Sequence, residues 1–296
     1  MKKELICSAF ALTLLTAGCN NEDTAAPPSS RDIEIVTKVG TLTRATDEAF
    51  ETGDRISIYA YETGKPAEMV VSGVANTLQQ DGTWTPATSM KWKDDATAHD
   101  FIGVYPEKGD IGNFINESIT LGDNMAANDL LIATATGRKA AGGAVPLTFD
   151  HVMSRVTVNL TFNENMGTAP TVDKVVLRCR LTGSVNYSDK TAEAEASGAT
   201  ANMTMTPVAS GTFRAVTLPQ TLAAGEDMIV LTIAGHNYSF AHTDALALEP
   251  GKNRNINLTV NGTAPADLTV SLGGITINDW GNSEPLEGGE AKPTAN

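Results

Sequence analysis

In SRVTVNLTF, residues 154–162, the apolar side chains Val156, Val158, Leu160 and Phe162 fall on every second position, with polar residues between. Successive side chains of an extended strand point to opposite faces, so this spacing makes a strand with one buried face. The same period recurs outward along the chain. Ile56, Ile58 and Ala60 alternate in DRISIYAY, residues 54–61. Further candidates are 227–233 (DMIVLTI), 236–240 (HNYSF), 254–260 (RNINLTV), 267–272 (DLTVSL) and 275–280 (ITINDW). Turn chemistry separates such segments, as in Thr63-Gly64-Lys65-Pro66, Asp81-Gly82, Gly109-Asp110, Gly142-Gly143 and Pro250-Gly251. No long stretch carries the 3.6-residue period of an amphipathic helix. Residues 191–201 (TAEAEASGATA) are helix-friendly in part, but they contain Gly198 and lack an apolar stripe, and they read as a loop or edge hairpin. The fold class is therefore all-β, arranged as two antiparallel β-sandwich domains or one elongated sandwich.

The Gly- and Ala-rich stretch GRKAAGGAVPL, residues 137–147, marks a boundary, and the strand pattern over 147–162 opens a second domain. This divides the body into an N-terminal domain, 32–145, and a C-terminal domain, 146–280. After Trp280 the chain has Leu286 as its one large apolar residue, so 281–296 reads as a disordered tail.

At the other end, Lys2 and Lys3 precede a mostly apolar run from Ile6 to Ala17. The run is shorter than the ~20 residues a membrane helix needs and fits a signal peptide over 1–18. It ends in Ala17-Gly18-Cys19, which resembles a lipobox, although Thr16 is not the usual apolar residue there. That resemblance implies cleavage before Cys19 and acylation of its thiol; the plainer reading is an ordinary signal peptide that contains a Cys. Residues 19–31 are polar and rich in Pro, Ser and Ala, and read as a tether.

The chain is 41% hydrophobic, enough for a sizeable core, and its formal net charge is -14. An acidic surface argues against a nucleic-acid partner, whose affinity comes from positive charge. Of three cysteines, Cys7 leaves with the signal peptide and Cys19 is the lipid site, so Cys179 remains without a disulfide partner. Val175, Leu177, Cys179 and Leu181 share one parity, which points Cys179 at the core.

Catalytic patterns are missing from the sequence. His99, His151, His236 and His242 form no close ligand cluster, and there is no HExxH, GxSxG or P-loop. Asp94 and Asp95 read as turn residues. These observations give no enzyme, no metal site and no cofactor. Trp84 and Trp92 flank WTPATSMKW, which suggests a hairpin. Exposed together they would form a platform for glycan contacts; packed in the core or at its rim they would be structural.

Six pieces, in order, resemble the fimbrillin family of Bacteroidales, the type V pilin subunits. They are Ala45-Thr46 with AFETGDRISIYAY (49–61), WTPATSMKWKDDATAHDFIGVYP (84–106), NDLLIATAT (128–136), VPLTFDHVMSRVTVNLTF (145–162), LEPGKNRNINLTV (248–260) and ITINDW (275–280). The resemblance implies two transthyretin-like β-sandwich domains and export as a lipoprotein held by outer-membrane lipid at Cys19. It implies a place on the extracellular face, in a fimbrium supporting cell adhesion. Partners would be other fimbrillin subunits and an arginine-specific surface protease. That protease would remove an N-terminal strand, and a strand near the C-terminus of another subunit would fill the groove. Carried onto this chain, 32–44 is the removable strand and the cut lies between Arg44 and Ala45. The donor region is Leu268, Val270, Leu272, Ile275 and Ile277. Arg31 precedes the strand and Arg55 lies inside the next one, so neither cut would release it. The alternatives are a tip adhesin, a fimbrial anchor that keeps its first strand, or a surface glycan-binding lipoprotein.

Overall fold

The computed structural model describes residues 32–40, 49–163, 170–263 and 267–280, and the backbone of 289–290. The alternating segments become strands, and the fold is almost all-β with one short α-helix, α1 (Met125–Asn128), among the described residues. The first half contains β1 (Ile35–Val39), β2 (Arg55–Glu62), β3 (Met69–Leu78), β4 (Trp84–Pro86), β5 (His99–Tyr105), β6 (Glu117–Thr120), β7 (Leu131–Arg138) and β8 (Val145–His151). Seven of these form one sheet in the order β1-β8-β7-β5-β2-β3-β4.

The second half contains β9 (Ser154–Phe162), β10 (Val172–Arg180), β11 (Thr182–Asn186), β12 (Thr191–Ala194), β13 (Thr200–Thr204), β14 (Thr206–Ala209), β15 (Thr212–Thr217) and β16 (Gln220–Leu222). It continues with β17 (Asp227–Ile233), β18 (His236–Ala241), β19 (Leu246–Leu248), β20 (Lys252–Asn261), β21 (Thr269–Asp279) and β22 (Gly289–Glu290). A six-stranded sheet runs β14-β15-β9-β20-β21-β22 and a four-stranded one β13-β10-β17-β18. Val156, Val158, Ile256, Leu258 and Val270 of the larger sheet share a core with Leu177, Cys179, Ile229 and Leu231 of the smaller.

The first sheet is covered on both faces. Ile56, Ile58 and Ala60 of β2 pack with Phe101, Leu147 and Phe149 in a second core, while Tyr59, Ile102, Val104 and Ile132 join the core of the second half. An arm makes this possible. Ile111, Phe114 and Leu121 cover that face, and β6 leaves the first half to pair with β11. Residues Arg31–Asn296 accordingly form one compact unit.

Four expectations change. The division near residue 145 moves. The strand 145–151 hydrogen-bonds to β1 and β7 of the first sheet, so β8 belongs there and not to the second half. The chain crosses between sheets at Val152-Met153, both buried, and the Gly-rich stretch is the loop between β7 and β8. The sheets are also not wholly antiparallel, because β1–β8 and β9–β20 run parallel, each joined by a long crossover. The candidates 267–272 and 275–280 are one strand, β21, with a bulge at Gly273-Gly274 where Asn257 faces Gly274 and Leu258 faces Leu272. The extra residue keeps Leu272 and Ile275 on one face despite their opposite parity. Finally, 191–201 divides between β12, which pairs with β11, and β13, which pairs with β10.

Candidate functional site: the edge of the first sheet

β1 lies at one edge of the seven-stranded sheet and β4 at the other, and the two edges approach each other. Ile33 N–H donates to Met90 O at 2.8 Å, and Asp32 bridges to Lys91. Trp84 Nε1–H donates to Thr37 Oγ1 at 2.9 Å, joining β4 to β1. Between them runs a cavity of about 1040 Å³ lined by Ile35, Val36, Phe50, Trp84, Pro86 and Met90.

The local sequence explains why β1 sits as it does. Ile33, Ile35 and Val39 are buried, whereas Val36 is 53% exposed. On the other side Val145 N–H donates to Glu34 O at 2.8 Å and Gly40 N–H to Phe149 O at 2.7 Å. Backbone groups alternate sides along a strand, so Ile35, Thr37 and Val39 turn theirs toward the cavity. Pro86 on the facing edge has no N–H to offer, a common feature of edge strands. An apolar channel beside a strand edge is suited to holding an extended peptide. Among the described residues no group of His, Cys, Asp and Glu is placed to hold a metal ion.

At one end of the channel Phe50 meets Trp84, Tyr105 and Phe149 edge-to-face, with ring centroids 5.3, 5.3 and 5.1 Å apart. A second cluster lies where the halves join. His151, at the end of β8, donates from Nδ1 to Asp129 Oδ1 at 2.8 Å. Its ring stacks on Trp280 at 4.3 Å with planes 13° apart, and the Arg155 guanidinium lies 5.1 Å from the same indole. Arg155 also donates to Trp280 O. Sequence reasoning puts Asp129 and Trp280 in two other pieces than the one that His151 and Arg155 share, and does not foresee that they meet. Their recurrence as polar or aromatic positions within apolar strands is the available signal.

The sites expected from sequence distribute unevenly. Cys19, Arg44 and Ala45 lie outside the described residues. Trp84 and Trp92 do not form the expected hairpin with each other. Trp84 pairs through β3, while Trp92 is buried against Phe101 and His99. Trp92 turns its apolar surface to the core, whereas Trp84 is half-buried and lines the channel, so the two indoles present no shared face. Leu268, Val270 and Leu272 are buried, Ile275 is half-buried, and Ile277 is 38% exposed opposite Arg254. The exposed Ile277 departs from an evenly apolar donor face. Asp94 accepts from the N–H groups of Ala96 and Thr97 and from Thr97 Oγ1, which hold its carboxyl down at about 2. It builds a turn. Cys179 is buried beside Thr217, and burial pushes its thiol up to about 11.

Comparison with known proteins gives this architecture a context. A Bacteroides uniformis protein named "Putative fimbrium subunit Fim1C" is 26% identical over 170 residues, covering 54% of this chain and 56% of that one. The match thus spans little more than half the length of that relative. Solved structures of a "putative cell adhesion protein" from Bacteroides ovatus (19% identical) and another from Bacteroides uniformis (18% identical) superpose with TM-scores of 0.65 each. They cover 86% and 84% of this chain and 99% of each of those, and at this identity they speak for the fold. The model of the Fimbrillin-like family matches residues 43–280, and the chain belongs to that family.

Proposed function

We propose that this chain is a structural subunit of a surface fimbria, exported as a lipoprotein through Cys19 and assembled by strand exchange after an arginine-specific cut at Arg44. The observation that carries the reading is the position of β1. It is an edge strand whose one backbone ladder is the parallel one to β8, and its apolar residues cap a core. Removing it would return Ile33, Ile35 and Val39 to water, at roughly 1.5–3 kcal/mol each, and would open the edge of β8. An incoming strand with alternating apolar residues relieves both costs. In this reading the sheets of each half work as two β-sandwich domains of transthyretin-like form. The first receives the strand. The donor is Leu268 together with β21, which carries Val270, Leu272, Ile275 and Ile277. The fimbrium on the outer-membrane surface, supporting adhesion, is the product.

The test is to treat purified folded protein with an arginine-specific protease. One dominant cut should give an N-terminus at Ala45, followed by concentration-dependent multimers that survive mild SDS. Arg44→Ala should block the cut and the multimers while leaving export and lipidation intact. Multimers formed equally well by Arg44→Ala would overturn the reading. A second reading, a membrane anchor that retains its first strand, is favoured by the Trp84–Thr37 hydrogen bond across the channel. Folded protein that resists cutting at Arg44 while carrying lipid at Cys19 would select it.

A further inference from the structure

The two ends of the strand-exchange apparatus are joined by one strand. Along Val145–Phe149, β8 is laddered to β1, residue for residue from Ile35 to Val39. Its ladder to β7 consists of the Leu131–His151 and Ile132–Asp150 pairs at the far end. Without β1, Val145–Phe149 lose their residue-by-residue ladder and are flanked on the β7 side alone, although Val145, Leu147 and Phe149 are core residues.

His151 is the last residue of β8, two positions beyond the Phe149 carbonyl that accepts from Gly40. Its ring is one face of the stack that fixes Trp280. Trp280 directly follows β21 and is held from three further sides. Its N–H donates to Gly251 O at 3.2 Å, its carbonyl accepts from Arg155, and the Arg155 guanidinium lies over its ring. The aromatic stack crosses from the first sheet to the end of the second sheet's long strand. Asp129 fixes the imidazole from the other side, so ring orientation depends on where the end of β8 lies.

We propose that β8 couples β1 to β21: with β1 in place, β8 holds His151 against Trp280 and locks the end of β21, and loss of β1 releases that lock. The consequence for assembly rests on the strand-exchange reading. A subunit that still carries its first strand would keep its donor strand locked, and the same event that opens the acceptor edge would free the donor. Coupling of this kind is reciprocal, because each end biases the same two arrangements of β8. Loosening Trp280 must therefore weaken β1 by the same factor.

Hydrogen–deuterium exchange on the uncleaved full chain tests the coupling without using the protease. Ile35→Asp loosens β1 directly, and Thr37→Ala does so more gently by removing the acceptor of Trp84. Both should speed exchange over Ile275–Asp279 roughly tenfold or more and leave β10 and β17 at the wild-type rate. Trp280→Ala should speed exchange in β1 and over 145–149 as well as in β21, and Trp280→Phe, which keeps a stacking ring, should restore most of the protection. The proposal is overturned if Thr37→Ala or Ile35→Asp loosens β1 while β21 exchanges as before, or if Trp280→Ala loosens β21 alone. Normal coupling with no cut at Arg44 would instead overturn the assembly reading and leave the lock standing.

Discussion

Trp92 and Cys179 show how one residue's surroundings determine its use. The Trp92 indole is surrounded by Phe101 and His99, both buried. Trp92→Ala should cost about 3–5 kcal/mol of stability, read as a lower urea midpoint with little change in slope. Soluble glycan binding by wild type that is lost in Trp92→Ala at full stability would contradict the packing role. Cys179 is a stable, unreactive thiol for the same reason. A thiol reagent at about pH 8 should label it only after unfolding. Burial raises its folded pKa to about 11 from an ordinary thiol value. Its contribution to stability is therefore full below the unfolded pKa and is lost as pH rises through about 11. The buried Tyr59 and Tyr187 hydroxyls, also raised by burial, add to an alkaline loss of the same sign. Unfolding free energy should fall between about pH 9 and 11, and Cys179→Ala should make that fall shallower.

At the scale of elements, irregularities in the strands carry as much information as the regular pairs. The β2–β3 ladder slips between the Ile58–Val74 and Ala60–Val71 pairs, with Gly73 in the slip at φ +60°. A Cβ at Gly73 would lie 2.0 Å from Gly109 O, so the bulge brings the arm that begins after β5 against the sheet. Gly73→Ala combines a left-handed backbone with a backbone clash, at about 1–3 kcal/mol for the strain alone. The variant should melt several degrees lower, and loosening of the arm should appear as faster exchange in β6. An unchanged melting temperature would show that the arm packs independently of the bulge. The bulge at Gly273-Gly274 does a similar job in β21, bringing Ile275 back to the face that Leu272 occupies.

Residues Arg31–Asn296 form one compact unit because the two cores share a wall. Tyr59 and Ile102 leave the first sheet toward the second half, Phe114 meets Tyr59 and Tyr187 edge-to-face, and Glu117 accepts from Lys108 and Tyr187. Calorimetry of a chain of residues 19–296 should give a single transition, with equal calorimetric and van't Hoff enthalpies. Phe114→Ala should broaden or split it by removing the ring between the halves. Two well-separated transitions in wild type would mean that the halves fold independently.

The strand content was legible because a half-buried strand writes its period into consecutive residues, as Val156, Val158 and Leu160 or Ile229, Leu231 and Ile233 do. Cys179 was placed correctly for that reason, and so was the turn role of Asp94, whose partners lie within three residues. Everything that depends on distant pairing was hidden. Residues 145–151 and 154–162 look like one continuous strand, since nothing local records that Val145–His151 pairs with β1 while Ser154–Phe162 pairs with β15 and β20. Trp92 could not be told from an exposed tryptophan, and Asp129, His151, Arg155 and Trp280 could not be seen as neighbours, because their proximity is created by chain crossing between sheets. Periodicity is a property of adjacent residues, whereas register and the meeting of sheet edges are properties of the folded chain.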